Sequence, residues 1–122
     1  MREEPTPPTR HLRVHEDRGY IVLELRGEID IASAAEISPL LDRLTGREHA
    51  RVVLDLRPVE FFDCSGLRLV NRARRRVLER GGHLHLVCVH PLTLRVLRAT
   101  GLTAILPPHP TLESALRSGD LR

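Results

Sequence analysis

The sequence predicts an α/β domain: a mixed β-sheet of about four to five strands with helices packed on it. Three observations carry that reading. Two aliphatic runs flank Asp17-Arg18-Gly19, a stretch suited to a tight hairpin turn. Downstream, short aliphatic runs alternate with segments whose apolar residues recur at helical spacing. The length of 122 residues suits one domain that buries its own core without disulfides or metal.

In chain order, residues 1–10 form a charged, Pro-rich lead expected to be disordered, residues 11–118 the folded domain and residues 119–122 a tail. Leu12 to Glu16 and Tyr20 to Leu25 read as the two hairpin strands. Gly27-Glu28-Ile29-Asp30 closes the second strand and leads to a helix. Ser33 with Glu36 fits a capping box, and Ile37, Leu40, Leu41 and Leu44 follow at helical spacing. Pro39 interrupts this pattern, since proline is tolerated only in a first turn. Ser38-Pro39 therefore offers a second cap and first position, and the helix start stays open.

Residues 51–56 (Arg-Val-Val-Leu-Asp-Leu) are dense enough in aliphatics to form a strand buried on both faces. Gly66 to Arg80 follows as a helix with Leu67, Val70, Ala73 and Val77 inward, ended by Gly81-Gly82. Leu84 to Val89 reads as a strand, and Pro91 opens a helix that runs through Ala99 and stops at Gly101. Leu102 to Leu106 reads as a short edge strand or extended piece, and Thr111 caps a last helix through Arg117. The helices are expected to cover mainly one face of the sheet or both edges.

Composition removes several function classes. All 19 basic residues are arginine, which excludes lysine Schiff-base chemistry and lysine-dependent phosphate loops. Two cysteines make no disulfide scaffold. No apolar run reaches membrane-spanning length, and the N-terminus is unlike a signal peptide, so a cytoplasmic protein is expected. The net charge of +3 is small, and the only aromatics are Tyr20, Phe61 and Phe62, so nothing favours base stacking.

The most informative stretch is Asp63-Cys64-Ser65-Gly66-Leu67, which follows a strand and opens an arginine-rich helix. A serine there meets free backbone N–H groups and the positive end of the helix dipole, a favourable place for a phosphate. As a nucleophile Ser65 needs a nearby base, the Gly-x-Ser-x-Gly elbow is absent, and His85 or His90 would have to fold in close. The commonest use of such a serine is a plain N-cap. The sharper reading is a residue to be modified. Phosphorylation adds about −1.5 to −2 charge, which the helix start tolerates but Asp63 opposes.

Gly27-Glu28-Ile29-Asp30, Val53-Leu54-Asp55-Leu56, Phe62-Asp63-Cys64-Ser65-Gly66-Leu67, Arg80-Gly81-Gly82 and Val96-Leu97-Arg98-Ala99-Thr100-Gly101-Leu102 occur in that order. In this ordered set, which covers roughly residues 12–117, the chain resembles STAS domains of the anti-sigma factor antagonist type. Members of that family carry an Asp-Ser-Ser-Gly-Leu or similar run whose second serine is the usual phosphoacceptor. The matching position is Ser65, and Cys64 replaces the first serine, removing a hydroxyl that bears on kinase recognition. The resemblance implies the STAS fold and a binding module with no catalytic activity and no cofactor of its own. It implies a partner switch: the free domain binds an anti-sigma factor that is also a GHKL-type serine kinase, releasing the sigma factor. Phosphorylation of Ser65 ends that complex, and a PP2C-type phosphatase restores it. The expected partner surface comprises Asp30, Asp63, Cys64, Ser65, Gly66, Leu67 and Arg68, without nucleic acid or membrane, on a monomer or weak dimer.

Each of these residues also has a plainer use. Asp30 caps the following helix through Ser33, and Asp63 is a solvated loop acid or orients the Ser65 hydroxyl. Cys64 is a small residue in a tight turn, or a thiol activated by the helix start. Arg68, Arg72, Arg75, Arg76 and Glu79 share the outer face of one helix, most simply a solvated face, otherwise a steering surface for an acidic partner, with DNA a distant third. His83, His85, Cys88 and His90 look like a metal cluster, but strand alternation puts His83 and His85 on one face and Cys88 and His90 on the other. Two rivals to the sigma reading remain: a STAS subunit regulating the ATPase of a lipid-transport complex, and an enzyme using Ser65 or Cys64.

Overall fold

The computed structural model describes residues 9–120; most of the expected disordered lead and the last two residues of the expected tail lie outside that range. Strands β1 (Leu12–Asp17) and β2 (Tyr20–Leu25) form the hairpin, with Arg18 (φ 51°) and Gly19 (φ 82°) supplying the left-handed pair a two-residue turn needs. Then come β3 (Gly27–Ile29), α1 (Ile31–Thr45), β4 (Arg51–Asp55), β5 (Val59–Phe62), α2 (Cys64–Glu79) and β6 (His83–Val87). The chain continues through α3 (Pro91–Ala99), α4 (Leu102–Ile105), β7 (Pro108–His109) and α5 (Leu112–Asp120). The main sheet runs β1-β2-β4-β6-β7, antiparallel across the hairpin and parallel thereafter.

The sheet is covered on both faces, not mainly on one face or at its edges. The β4 run explains why: Val52 and Leu54 point to one side, Val53 to the other, and all are buried. The larger core joins Leu23, Leu25 and Leu54 to Ile37 and Leu41 of α1 and to Val70, Ala73 and Val77 of α2. On the opposite face Tyr20, Val22, Val53 and Val87 pack under Ala115 and Leu116 of α5. A bidentate pair, Arg18 to Glu113 at 3.0 and 2.9 Å, ties that helix to the hairpin turn.

Several local expectations change. Gly27–Ile29 is a strand of its own, and Val59–Phe62, unforeseen from the sequence, pairs with it in parallel as a separate two-stranded sheet. Residues 102–105 are a turn of helix, closed by Leu106 N–H donating to the Leu102 carbonyl at 2.8 Å; the edge strand is β7 instead. Helix α1 starts at Ile31 and runs through Pro39. The proline is exposed, where water can reach the carbonyl that lacks an amide partner. Leu67 is only partly buried, and Leu69 takes the inward place beside Val70.

Candidate functional site

The small β3–β5 sheet builds the site. Ile29 and Phe62 are cross-strand partners at the ends of parallel strands, so Asp30 and Asp63, the next residues of each, emerge side by side. The Asp63 N–H reaches toward the Ile29 carbonyl at 3.5 Å. Each aspartate is then the N-cap of the helix it introduces.

On α1 the capping box is Asp30 with Ser33, as the plainer reading of Asp30 expects, not Ser33 with Glu36. The Ser33 N–H donates to the Asp30 carboxylate at 3.0 Å, and the Asp30 N–H donates to Ser33 Oγ at 2.9 Å. These hydrogen bonds from Ser33, backbone first and hydroxyl second, hold the Asp30 carboxyl below its ordinary pKa. Glu36 lies instead 3.4 Å from His11 Nδ1.

On α2 the cap is Asp63, whose carboxylate accepts the Ser65 N–H at 2.8 Å. Ser65 is therefore not the cap but the second helical residue, and the contact from Asp63 is to its backbone amide. Cys64 is exposed, Ser65 is 9% exposed and Gly66 is buried. A Cβ on Gly66 would meet Phe62 Cε1 at 2.6 Å and Ile29 Cγ2 at 3.1 Å, so glycine lets the first turn of α2 lie against β3 and β5. Leu67 is half-buried and Arg68 points to solvent.

Between the first halves of α1 and α2 runs an open groove of about 340 Å³ lined by Ile31, Ala34, Ser38, Ser65, Arg68 and Leu69, among others. Ile31, at its mouth, is 77% exposed. The sequence reading missed the α1 wall. The signal available was Ile31-Ala32-Ser33-Ala34-Ala35, an exposed aliphatic followed by small residues, which marks a shallow helix face. A larger cleft, about 760 Å³, is lined by Arg10, His11, Arg13 and Arg26 together with Glu28 and Glu60. It mixes both signs of charge and takes in no residue of the serine motif.

The arginine stripe is only partly a solvated outer face. Arg72 binds Asp42 of α1 through Nε and Nη2 at 2.6 and 2.8 Å, and Arg76 donates to the Asp42 carbonyl at 2.8 Å. The Arg72 guanidinium lowers the Asp42 pKa. Arg68, Arg75 and Glu79 remain exposed. The histidines and cysteine of the apparent metal cluster disperse. His85 lies tilted against Tyr20 and edge-on to His109, each at 5.8 Å between ring centres, and His90 Nδ1 accepts the Leu92 N–H at the start of α3. Cys88 is buried, its thiol pushed up to about 11 by desolvation. Among the described residues no cluster of three or more His, Cys, Asp or Glu side chains is placed to hold a metal ion.

With this geometry in hand, comparison with known proteins is specific. The model of the STAS domain family matches residues 11–115. The anti-sigma-F factor antagonist RsfA of Mycobacterium tuberculosis is 29% identical over 116 residues, covering 91% of this chain and 90% of its own. The crystal structure of an anti-sigma factor antagonist from Mycobacterium paratuberculosis superposes with a TM-score of 0.80 at 26% identity, over 92% of this chain and 97% of that one. The Bacillus cell fate determinant SpoIIAA in its phosphorylated form shares the fold, with a TM-score of 0.69 at 21% identity over 88% and 97% of the two chains. The chain belongs to the STAS domain family, and relatives along nearly its whole length are named anti-sigma factor antagonists. Among the described residues no helix is long and apolar enough to cross a membrane.

Proposed function

We propose that this protein is a cytoplasmic anti-sigma factor antagonist that binds an anti-sigma factor of the GHKL serine-kinase type and is switched off by phosphorylation of Ser65. The observation that carries this reading is the position of Ser65: in the first turn of α2, lining an open groove whose other wall is α1. The names of the relatives supply the partner class. The partner sits over Asp30, Asp63, Cys64, Ser65, Gly66, Leu67 and Arg68, with Ile31 as an apolar contact at the groove mouth.

The kinase transfers the γ-phosphoryl of ATP to Ser65 Oγ, releasing ADP and a proton; ATP and magnesium belong to the kinase. The new group, about −1.5 to −2 in charge, meets the N–H groups of the α2 start and Arg68 one turn along. Asp63 and Asp30, capping the two adjacent helices, oppose it. A partner seated on the groove then faces a desolvated dianion. A penalty of ~3–4 kcal/mol lowers affinity by two to three powers of ten. A PP2C-type phosphatase hydrolyses the ester and restores the binding form.

The test is incubation of the purified protein with ATP, magnesium and each GHKL-type kinase of the source organism, followed by mass spectrometry and a binding measurement. Phosphate on Ser65, lost in Ser65→Ala and accompanied by dissociation, is expected. Binding without phosphate would leave a constitutive antagonist. Neither binding nor phosphate would overturn the reading and favour the transport-ATPase subunit.

A further inference from the structure

A second groove, about 210 Å³, lies between β5 and the start of α3 and is lined by Phe61, Phe62, Leu92 and Val96 with Glu60 and Arg95 beside them. Single exposed apolar residues are ordinary on a protein surface, but here two large ones share one groove: Phe61 is 51% exposed and Leu92 61%. The chain has three aromatic residues, and the other two, Tyr20 and Phe62, are buried. A register shift in the β3–β5 pairing, which breaks the alternation after buried Val59, leaves Phe61 outward while Phe62 turns inward onto Gly66. It does not account for an aromatic at an outward position. The groove is also continuous with the serine motif: Phe62, which lines it, packs against Gly66 and directly precedes the capping Asp63. On its rim Arg95 is exposed and has no salt bridge to any described residue.

We propose that Phe61 and Leu92 form a second foothold for the same anti-sigma factor, receiving an apolar side chain of the partner with a carboxylate beside it facing Arg95. This rests on the function proposed above. Its physical content is a division of labour. Ser65 carries the charge that ends the complex, while an apolar contact on the neighbouring groove carries affinity that charge does not supply. A large aromatic beside a desolvated pocket is the usual form of such an anchor.

The test measures binding of each purified anti-sigma factor of the source organism to the full-length wild-type chain, Phe61→Ala, Leu92→Arg, Arg95→Glu and the control Val14→Arg, with thermal melting of every variant. Val14 is an exposed aliphatic on β1, outside both grooves. Phe61→Ala and Leu92→Arg are each expected to weaken binding by about thirtyfold, with unchanged melting. Arg95→Glu should slow association and reduce its salt dependence, and Val14→Arg should bind like wild type. If the wild type binds while Phe61→Ala and Leu92→Arg stay within about threefold of it, the foothold is overturned and the proposed function stands. If the wild type binds no anti-sigma factor, the function falls and the foothold with it.

Discussion

Gly66→Ala tests whether the serine motif needs glycine for packing. In an unconstrained helix the change stabilises by about 1 kcal/mol, because alanine loses less backbone freedom on folding. Here the added Cβ would stand 2.6 and 2.7 Å from Phe62 Cε1 and Cδ1 and 3.1 Å from Ile29 Cγ2. Ordinary carbon contacts lie near 3.5–4.0 Å, so the ring must retreat by about 1 Å. Phe62 is 7% exposed and Ile29 fully buried, so that retreat moves β5 or the first turn of α2. Overpacking costs about 1–3 kcal/mol in general; two contacts below 3 Å to a buried ring place this site in the upper half, about 2–3 kcal/mol, leaving a net loss of about 1–2 kcal/mol after the helix gain. For a chain of this size the melting temperature should fall by roughly 3–8 °C. Thermal unfolding followed by circular dichroism measures that fall and urea unfolding the free-energy loss, and an unchanged m-value would show that the unfolded state is not responsible. Phe62→Leu makes room at the cost of the ring itself, so the double variant should be more stable than the sum of the two single losses. A Gly66→Ala chain as stable as wild type, or more so, would refute the reasoning, because the ring would then yield freely.

Asp63→Ala removes the carboxylate that accepts the Ser65 N–H and should cost about 1 kcal/mol in urea unfolding, while Asp63→Asn, also a capping residue, should recover most of it. Gly82→Ala should be far worse than Gly66→Ala. Its Cβ would overlap the Ala50 carbonyl oxygen and stand 2.9 Å from the Ala50 nitrogen, and this buried backbone at the entry to β4 cannot step aside; loss of soluble folded protein is the expected readout. Burial lowers the His109 pKa below its ordinary 6.5, so the folded state prefers the neutral ring. The stabilisation is complete above that value and lost as pH falls through it, since the unfolded state then binds more protons. His109→Gln should therefore flatten the fall of the urea midpoint between pH 8 and pH 5, and an unchanged slope would refute the assignment.

How much of this was legible in the sequence varied with the length of each element. β4, α2 and α3 declared themselves because five or more residues keep one apolar pattern, and the hairpin because Asp17-Arg18-Gly19 marks its turn. Gly27–Ile29 and Val59–Phe62 did not: three and four residues cannot display a period, and each is a strand only because the other pairs with it. That omission left the α1 cap open between two readings. Ser33 and Glu36 fit the capping pattern, but Asp30 stands three residues before Ser33 as well, and the end of β3 decides between them. Residues 102–105 contain β-branched Thr103 and Ile105 and so read as extended, yet Gly101 at φ 81° starts a helical turn there. The arginine stripe was read as one outer face because the position of α1, with Asp42 opposite Arg72 and Arg76, is not written in α2.

The sequence by itself determined most of the residues that turn inward, that a helix follows Asp63, and that a serine stands near its start, although α2 begins at Cys64 and not at Gly66. These are local properties, set by side-chain period, capping chemistry and backbone preference within one or two turns. Tertiary structure alone decided what Ser65 has beside it. Pairing of β3 with β5 brings Asp30 next to Asp63, and packing of α1 on α2 makes the groove and engages Arg72 and Arg76. A single segment encodes the face it must bury but not the surface that will cover it. That choice rests on contacts between residues some thirty positions apart, which form only when every element finds its partner at once.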